Sequence, residues 1–204
     1  MSRGFLPLLA TVAAIGTAAI AWETVGFRAV TTAGAEQIEI ERTPRTLPDV
    51  QLVDQDGNAF GLGVYRGRPV LVDFIYTGCP TICGVLGDDF QGVLERAHDS
   101  GLSTQADLLS ISFDRQNDDR EALALYGERY GAKAPHWRIA APADARGLAA
   151  VLRAFGVIVI PDGMGGFIHN SAIYLVDAQG RLARILDPGA PPQLLLAALR
   201  ESAP

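Results

Sequence analysis

"RPVLVDFIYTGCPTICG", residues 68–84, decides how this chain folds. Its first part, Arg68 to Tyr76, is a continuous apolar, β-branched run preceded by the turn residues of "YRGRP". Such a run reads as a strand buried on both faces, as a parallel sheet requires. Its second part carries Cys79 and Cys83, the only two cysteines of the 204 residues. They stand where the strand gives way to a helix, expected from about Pro80 to His98 and closed by Gly101.

Outward from this stretch, strand-like and helical segments alternate. "ADLLSISF" is the next strand and ends near Asp114, and "NDDREALALYGERYGA" is a helix capped at its start by Asn or Asp and closed by Gly131. A short strand at "WRIA" and a helix in "ADARGLAAVLRAFG" follow. "SAIYLVDAQGRLARIL" forms a hairpin turning at Asp177 to Gly180, and "PPQLLLAALRES" a last helix with proline in its first turn. Upstream, "VQLVDQDGNAFGL" supplies another hairpin, turning at Asp56-Gly57. The pattern predicts an α/β domain, a central mixed sheet flanked by helices.

The N-terminus has a different character. From Gly4 to Trp22 the chain carries no charge; as a helix this run would span roughly 28 Å, close to the hydrocarbon thickness of a bilayer. Arg3 before it and Glu23 after it orient the N-terminus toward the cytoplasm. A cleaved signal peptide is the rival reading, with Ala19-Ile20-Ala21 as the small-residue cleavage pattern. Either reading sends the rest of the chain across a membrane, to the extracytoplasmic side. Residues 1–22 are thus expected to be a membrane anchor or signal, 23–45, which lack a clear period, a flexible tether, and 46–204 the folded domain. The formal net charge of −6 argues against nucleic acid as a partner.

Cys79 and Cys83 lie one helical turn apart, on one face, with Cβ atoms about 5–6 Å from each other. A disulfide wants about 3.5–4.5 Å, so closing one would distort the first turn of the helix. A structural staple is the weaker reading. Two others remain open: a pair that cycles between dithiol and disulfide, and a clamp for a soft metal. The helix N-terminus favours thiolate at Cys79 and helps both. The metal reading needs a third ligand, and the chain has three histidines. His98 falls at the solvated end of the cysteine helix, and His136 beside Trp137 reads as a packing residue. His169 stands where a glycine-rich loop, "PDGMGGF", read as mobile, feeds into an apolar strand.

Three blocks in order resemble the Sco (SenC) family: "GRPVLVDFIYTGCPTIC", "ISFDRQNDDREAL" and "HNSAIYLVDAQG". The family consists of membrane-tethered, thioredoxin-like copper proteins that help assemble the dinuclear copper centre of cytochrome c oxidase. The resemblance implies a thioredoxin-like fold and copper, as Cu(I) or Cu(II), bound by Cys79, Cys83 and His169. It also implies a copper-receiving oxidase subunit and a thioredoxin-like reductant as partners. Soft thiolates and one imidazole suit copper, whereas structural zinc sites usually take four protein ligands.

The chain departs from the family at Gly84 and Arg115, where prolines are usual, and at Ile168, where Asp is common; these mark a divergent member. Met164 is left out of the ligand set. The block places acidic residues at Asp114, near the end of the strand, and at Asp118, which could cap the following helix. Asp73, inside an apolar strand, should find a hydrogen-bond partner or face away from the core.

A thiol–disulfide oxidoreductase acting through Cys79 and Cys83 is the alternative activity; it would reduce client cysteines before metallation. The C-x-x-x-C spacing and the absence of a proline next to His169 speak against a simple reductant. A peroxidase attacking peroxide through Cys79, or a bare interaction module, leaves the distal histidine block or the cysteine spacing unexplained.

Overall fold

A computed structural model describes residues 5–23, 31–79, 81–102 and 106–203. Arg3, residues 24–30 of the expected tether and Pro80 lie outside the described residues. The chain divides into two compact units, Met1–Thr43 and Pro44–Pro204.

The first unit holds helix α1 (Phe5–Glu23), covering the charge-free run, and helix α2 (Thr32–Arg42). Among the described residues no helix is long and apolar enough to cross a membrane. Within the segment expected as a flexible tether, 23–45, residues 32–42 are helical, which the missing period did not announce. The segment "TAGAEQIEIER" lacks an apolar stripe, yet it is made largely of good helix formers, and the Thr31 hydroxyl caps it by accepting from the Gly34 amide at 3.1 Å.

The second unit is built on an eight-stranded mixed sheet. In chain order its strands are β1 (Arg45–Thr46), β2 (Gln51–Asp54), β3 (Ala59–Gly61), β4 (Val70–Ile75), β5 (Asp107–Ser112) and β6 (Trp137–Pro142). A separate two-stranded ribbon of β7 (Val159–Pro161) and β8 (Phe167–His169) follows, and then β9 (Ile173–Val176) and β10 (Arg181–Leu186) complete the large sheet. The spatial order is β1-β10-β9-β4-β5-β6-β2-β3. β4, β5 and β6 are parallel; the pairs on either side are antiparallel. All six residues of β4 and of β5 are buried, which is why their sequences read as unbroken apolar runs.

The crossovers are helical: α3 (Ile82–Asp99) joins β4 to β5, and α4 (Arg120–Tyr130) joins β5 to β6. α5 (Ala145–Phe155) leads into the ribbon, and α6 (Pro192–Glu201) closes the chain. α3 packs on α6 and α4 on β6. From α3, Phe90 sets its ring edge-on to the fully buried Trp137 at 5.7 Å. Phe74 meets Phe155 of α5 at 5.2 Å and Tyr174 at 5.7 Å. Because side chains alternate along a strand, Asp73 therefore points to the opposite face from Phe74. Both predicted hairpins form, with Gly57 and Gly180 at φ +87° and +79°, backbone that glycine adopts without strain. The mixed sheet with flanking helices is consistent with the expected thioredoxin-like α/β class.

Candidate metal centre

The cysteine loop leaves the carboxyl end of β4, the edge at which open parallel sheets place their sites. The Tyr76 carbonyl accepts the Cys79 amide at 3.1 Å, closing a turn over residues 76–79. α3 begins only at Ile82, so Cys79 lies in the loop before the helix and not on its first turn; the Cys83 amide points at the Cys79 sulfur, 3.4 Å away. Cys83 is 1% exposed, and its carbonyl accepts the Tyr126 hydroxyl at 2.9 Å. Both thiols are free.

Their surroundings set them apart. Burial alone would raise Cys79, but the Cys83 thiol, the Thr81 and Cys83 amides and the Thr81 hydroxyl together hold it below the ordinary thiol value. Cys83 is pushed well above that value by burial, then by Cys79 itself. The outer sulfur thus ionises first and the inner one keeps its proton.

His169 ends β8. Its ring sits at 4.9 Å from that of Phe113 and 6.4 Å from that of Tyr76, both at steep angles. Nδ1 lies 3.3 Å from the Ser171 hydroxyl and 3.4 Å from the Asn170 carbonyl. Nε2 is shielded from solvent and has no hydrogen-bond partner. Burial lowers the imidazole pKa, which favours the neutral ring a metal ion needs. A buried, unpartnered ring nitrogen is rare in a finished core and common at a ligand position awaiting its ion.

Tyr76 connects the two halves. Its carbonyl fixes Cys79, its ring contacts His169 and Phe167, and its hydroxyl interacts with the Cys79 thiol and the Phe167 backbone. The two cysteines are therefore together, and His169 lies beyond Tyr76. Among the described residues no group of three or more His, Cys, Asp or Glu side chains is drawn close enough to hold a metal ion.

The segment before His169 differs from its sequence reading. It is the turn of the β7–β8 ribbon and is fastened from within: the Asp162 carboxylate accepts the amides of Met164 at 2.7 Å and Gly166 at 2.9 Å. Gly166 leaves room for this, since a Cβ there would come within 2.6 Å of Asp162 Oδ2 and 3.3 Å of the Tyr76 hydroxyl and force the carboxylate to shift. Nor does His169 feed directly into the core strand, since residues 170–172 separate it from β9. Asn170, which the sequence did not single out, anchors this junction. Its side chain accepts the Ile158 amide at 2.7 Å and donates to the Gly156 carbonyl at 2.9 Å.

Of the remaining candidates, His98 is exposed beside Asp99, and His136 pairs with Asp107 at 3.6 Å, away from the cysteine loop. Met164 is 88% exposed. Asp118 does not cap α4; Asp119 does, accepting the Ala122 amide at 2.9 Å, and Asp118 is buried between loops. Asp114 accepts from the Asn117 side chain at 2.7 Å. Asp73 neither faces away from the core nor finds a partner: it is wholly buried and both its oxygens lack hydrogen bonds. At the departures from the family pattern, the Gly84 amide donates to the Thr81 carbonyl at 3.0 Å, a bond proline cannot make. Arg115 donates to the Pro142 and Ala143 carbonyls at 3.0 and 2.9 Å.

Residues 39–203 match the SCO1/SenC family model. A curated relative, the SCO1 protein homolog of Bacillus subtilis (strain 168), is 26% identical over 133 residues, spanning 64% of this chain and 68% of its own. Among solved structures, Bradyrhizobium japonicum ScoI with copper bound is 25% identical at a TM-score of 0.66, covering 77% of this chain and 99% of its own. BsSco, described with a disulfide switch as a member of the Sco family of cytochrome c oxidase assembly proteins, has a TM-score of 0.68 at 21% identity. That likeness covers 79% of this chain and 95% of BsSco.

Proposed function

Since the chain belongs to the SCO1/SenC family, we propose that it carries copper, held by Cys79, Cys83 and His169, to the dinuclear copper site of a respiratory oxidase. The buried, unpartnered Nε2 of His169, one aromatic ring away from the thiol pair, is the observation that carries this reading. The donor chemistry supports it as well. Two thiolates select Cu(I), and an imidazole suits copper in either oxidation state. Three protein donors leave the ion open to attack by a recipient's ligand. The copper-bound ScoI relative supports the choice of metal.

The test is copper stoichiometry and absorption spectrum of the purified protein beside Cys79→Ser, Cys83→Ser and His169→Ala. One copper per chain is expected for wild type, with affinity falling at least tenfold in each variant. Binding that is indifferent to His169→Ala removes the histidine from the set.

The same reading includes a tether formed by the uncharged N-terminal run and a soluble domain on the extracytoplasmic side. After alkaline extraction the chain should stay with the membrane pellet, and in intact cells or spheroplasts its domain should be open to added protease.

The unequal thiols favour a second activity beside carriage. The Cys79 sulfur, the first of the two to ionise, attacks a client disulfide as thiolate and releases one client thiolate; Cys83, once deprotonated, attacks Cys79 and releases the other. The client gains two electrons and two protons, and the chain is left as the Cys79–Cys83 disulfide, which a thioredoxin-like reductant must reopen. His169→Ala should leave this exchange intact while copper affinity collapses.

A further inference from the structure

Asp118 is 4% exposed and has no cationic partner among the described residues, yet its carboxylate is fully engaged. One oxygen accepts the Thr77 hydroxyl at 2.6 Å; the Thr77 amide reaches both, at 3.0 and 3.2 Å; the other oxygen accepts the Ser112 hydroxyl. Ser112 is the last residue of β5, and its own oxygen accepts the Asp114 amide at 3.1 Å. The carboxylate therefore ties the loop after β5 to the loop after β4. Burying a carboxyl among neutral donors is costly, and burial raises its pKa against the opposing pull of Ser112 and Thr77. A neutral side chain would serve if only filling were needed.

What the carboxylate grips decides its role. Thr77 is the second residue of the turn that the Tyr76 carbonyl and Cys79 amide close. Holding Thr77 at amide and hydroxyl fixes that turn, which sets the Cys79 sulfur in front of the Cys83 amide in the first turn of α3. Resting on the copper reading above, we propose that Asp118 is a positioning residue for the metal-binding thiol pair, acting through Thr77 to hold the Cys79 sulfur at the start of α3. It touches neither sulfur; it is a brace behind them, as second-shell partners brace metal ligands elsewhere.

Full-length protein in detergent is compared with Asp118→Ala, Asp118→Asn, Thr77→Val and Ser112→Ala by Cu(I) competition titration. The pH midpoint of Cys79 alkylation in metal-free protein and the thermal midpoint are read in parallel. Asp118→Ala should weaken copper about tenfold or more and move the alkylation midpoint upward, as the helix amides lose their aim at the sulfur. Asp118→Asn keeps an acceptor for Thr77 and should recover most of both. Thr77→Val should go the same way as Asp118→Ala by a smaller step, and it carries the test if Asp118→Ala does not fold. Ser112→Ala, which leaves the Thr77 contacts in place, should stay within about twofold of wild type. Copper affinity and alkylation midpoint unchanged in Thr77→Val and Asp118→Ala would overturn the proposal. So would losses that follow only the thermal midpoint, with Ser112→Ala as damaging as Thr77→Val. If wild type binds no copper, the carrier reading fails by itself, and the alkylation midpoint still decides whether Asp118 positions Cys79.

Discussion

At the scale of single residues, Asp73 is the position where local chemistry and the surrounding strand disagree most. Its neighbours in β4 are apolar and its side chain points to the face opposite Phe74. Burial raises its pKa to about 7; Ser110, beside it in the β4–β5 register, opposes the shift without reaching hydrogen-bond geometry. The folded chain thus binds this proton more tightly than the unfolded chain, where an aspartate titrates near 3.9. The stability this gives is complete below about pH 4 and is lost as pH rises toward 7. Asp73→Val should therefore be more stable than wild type at pH 8, by up to about 4 kcal/mol. That advantage should shrink steadily toward pH 4 in urea unfolding of metal-free protein. A gap of constant size over this range would mean that Asp73 is ionised in the folded state throughout it, with no raised pKa.

Among the elements, the β7–β8 ribbon carries the proposed ligand that neither α3 nor the loop before it supplies, and it stands apart from the main sheet. Asn170 pins it to the end of α5, so Asn170→Ala should free the ribbon without touching the thiols. Faster amide exchange at Ile160 and Ile168, which face each other in the ribbon, is expected, together with copper affinity lowered several-fold and unchanged alkylation of Cys79. Protection equal to wild type in the ribbon would show that other contacts hold it. This ribbon also marks where sequence reading stopped. β4, β5, α3 and the hairpins were legible because each is long enough to express a period, or is closed by a glycine that only a turn explains. β7 and β8 have three residues each, include Pro161, and meet at a turn fastened by Asp162, so no alternation had room to appear. α2 was missed for the opposite reason: its helix comes from propensity and a threonine cap, with no apolar stripe to announce it.

Over the whole molecule, the proposed site draws on distant stretches of chain, and its parts were unequally legible. The cysteine pair is local, so its spacing and its place at a strand–helix junction could be read directly. Tyr76 and Phe113, which line the surroundings of His169, are brought near it only by the sheet and the ribbon. The proposed ligand set, divided in this way, would couple metal to fold, because copper would favour the state in which all three donors are close. At a free copper level about 100 times Kd the gain should be near 2.7 kcal/mol. For a unit of this size that is a rise in thermal midpoint of roughly 5–10 °C. His169→Ala should lose most of that rise, and an equal rise in wild type and variant would show that the sulfurs alone bind.

The order of donors along the chain gives this arrangement a direction in time. During synthesis both sulfurs emerge well before the imidazole, and the ribbon that presents it is added last before the closing hairpin. A metal ion that meets an unfinished polypeptide finds a two-point grip that competing thiols can strip away. With the proposed donors only a completed molecule would offer the third point, so secure loading would double as a certificate of maturity.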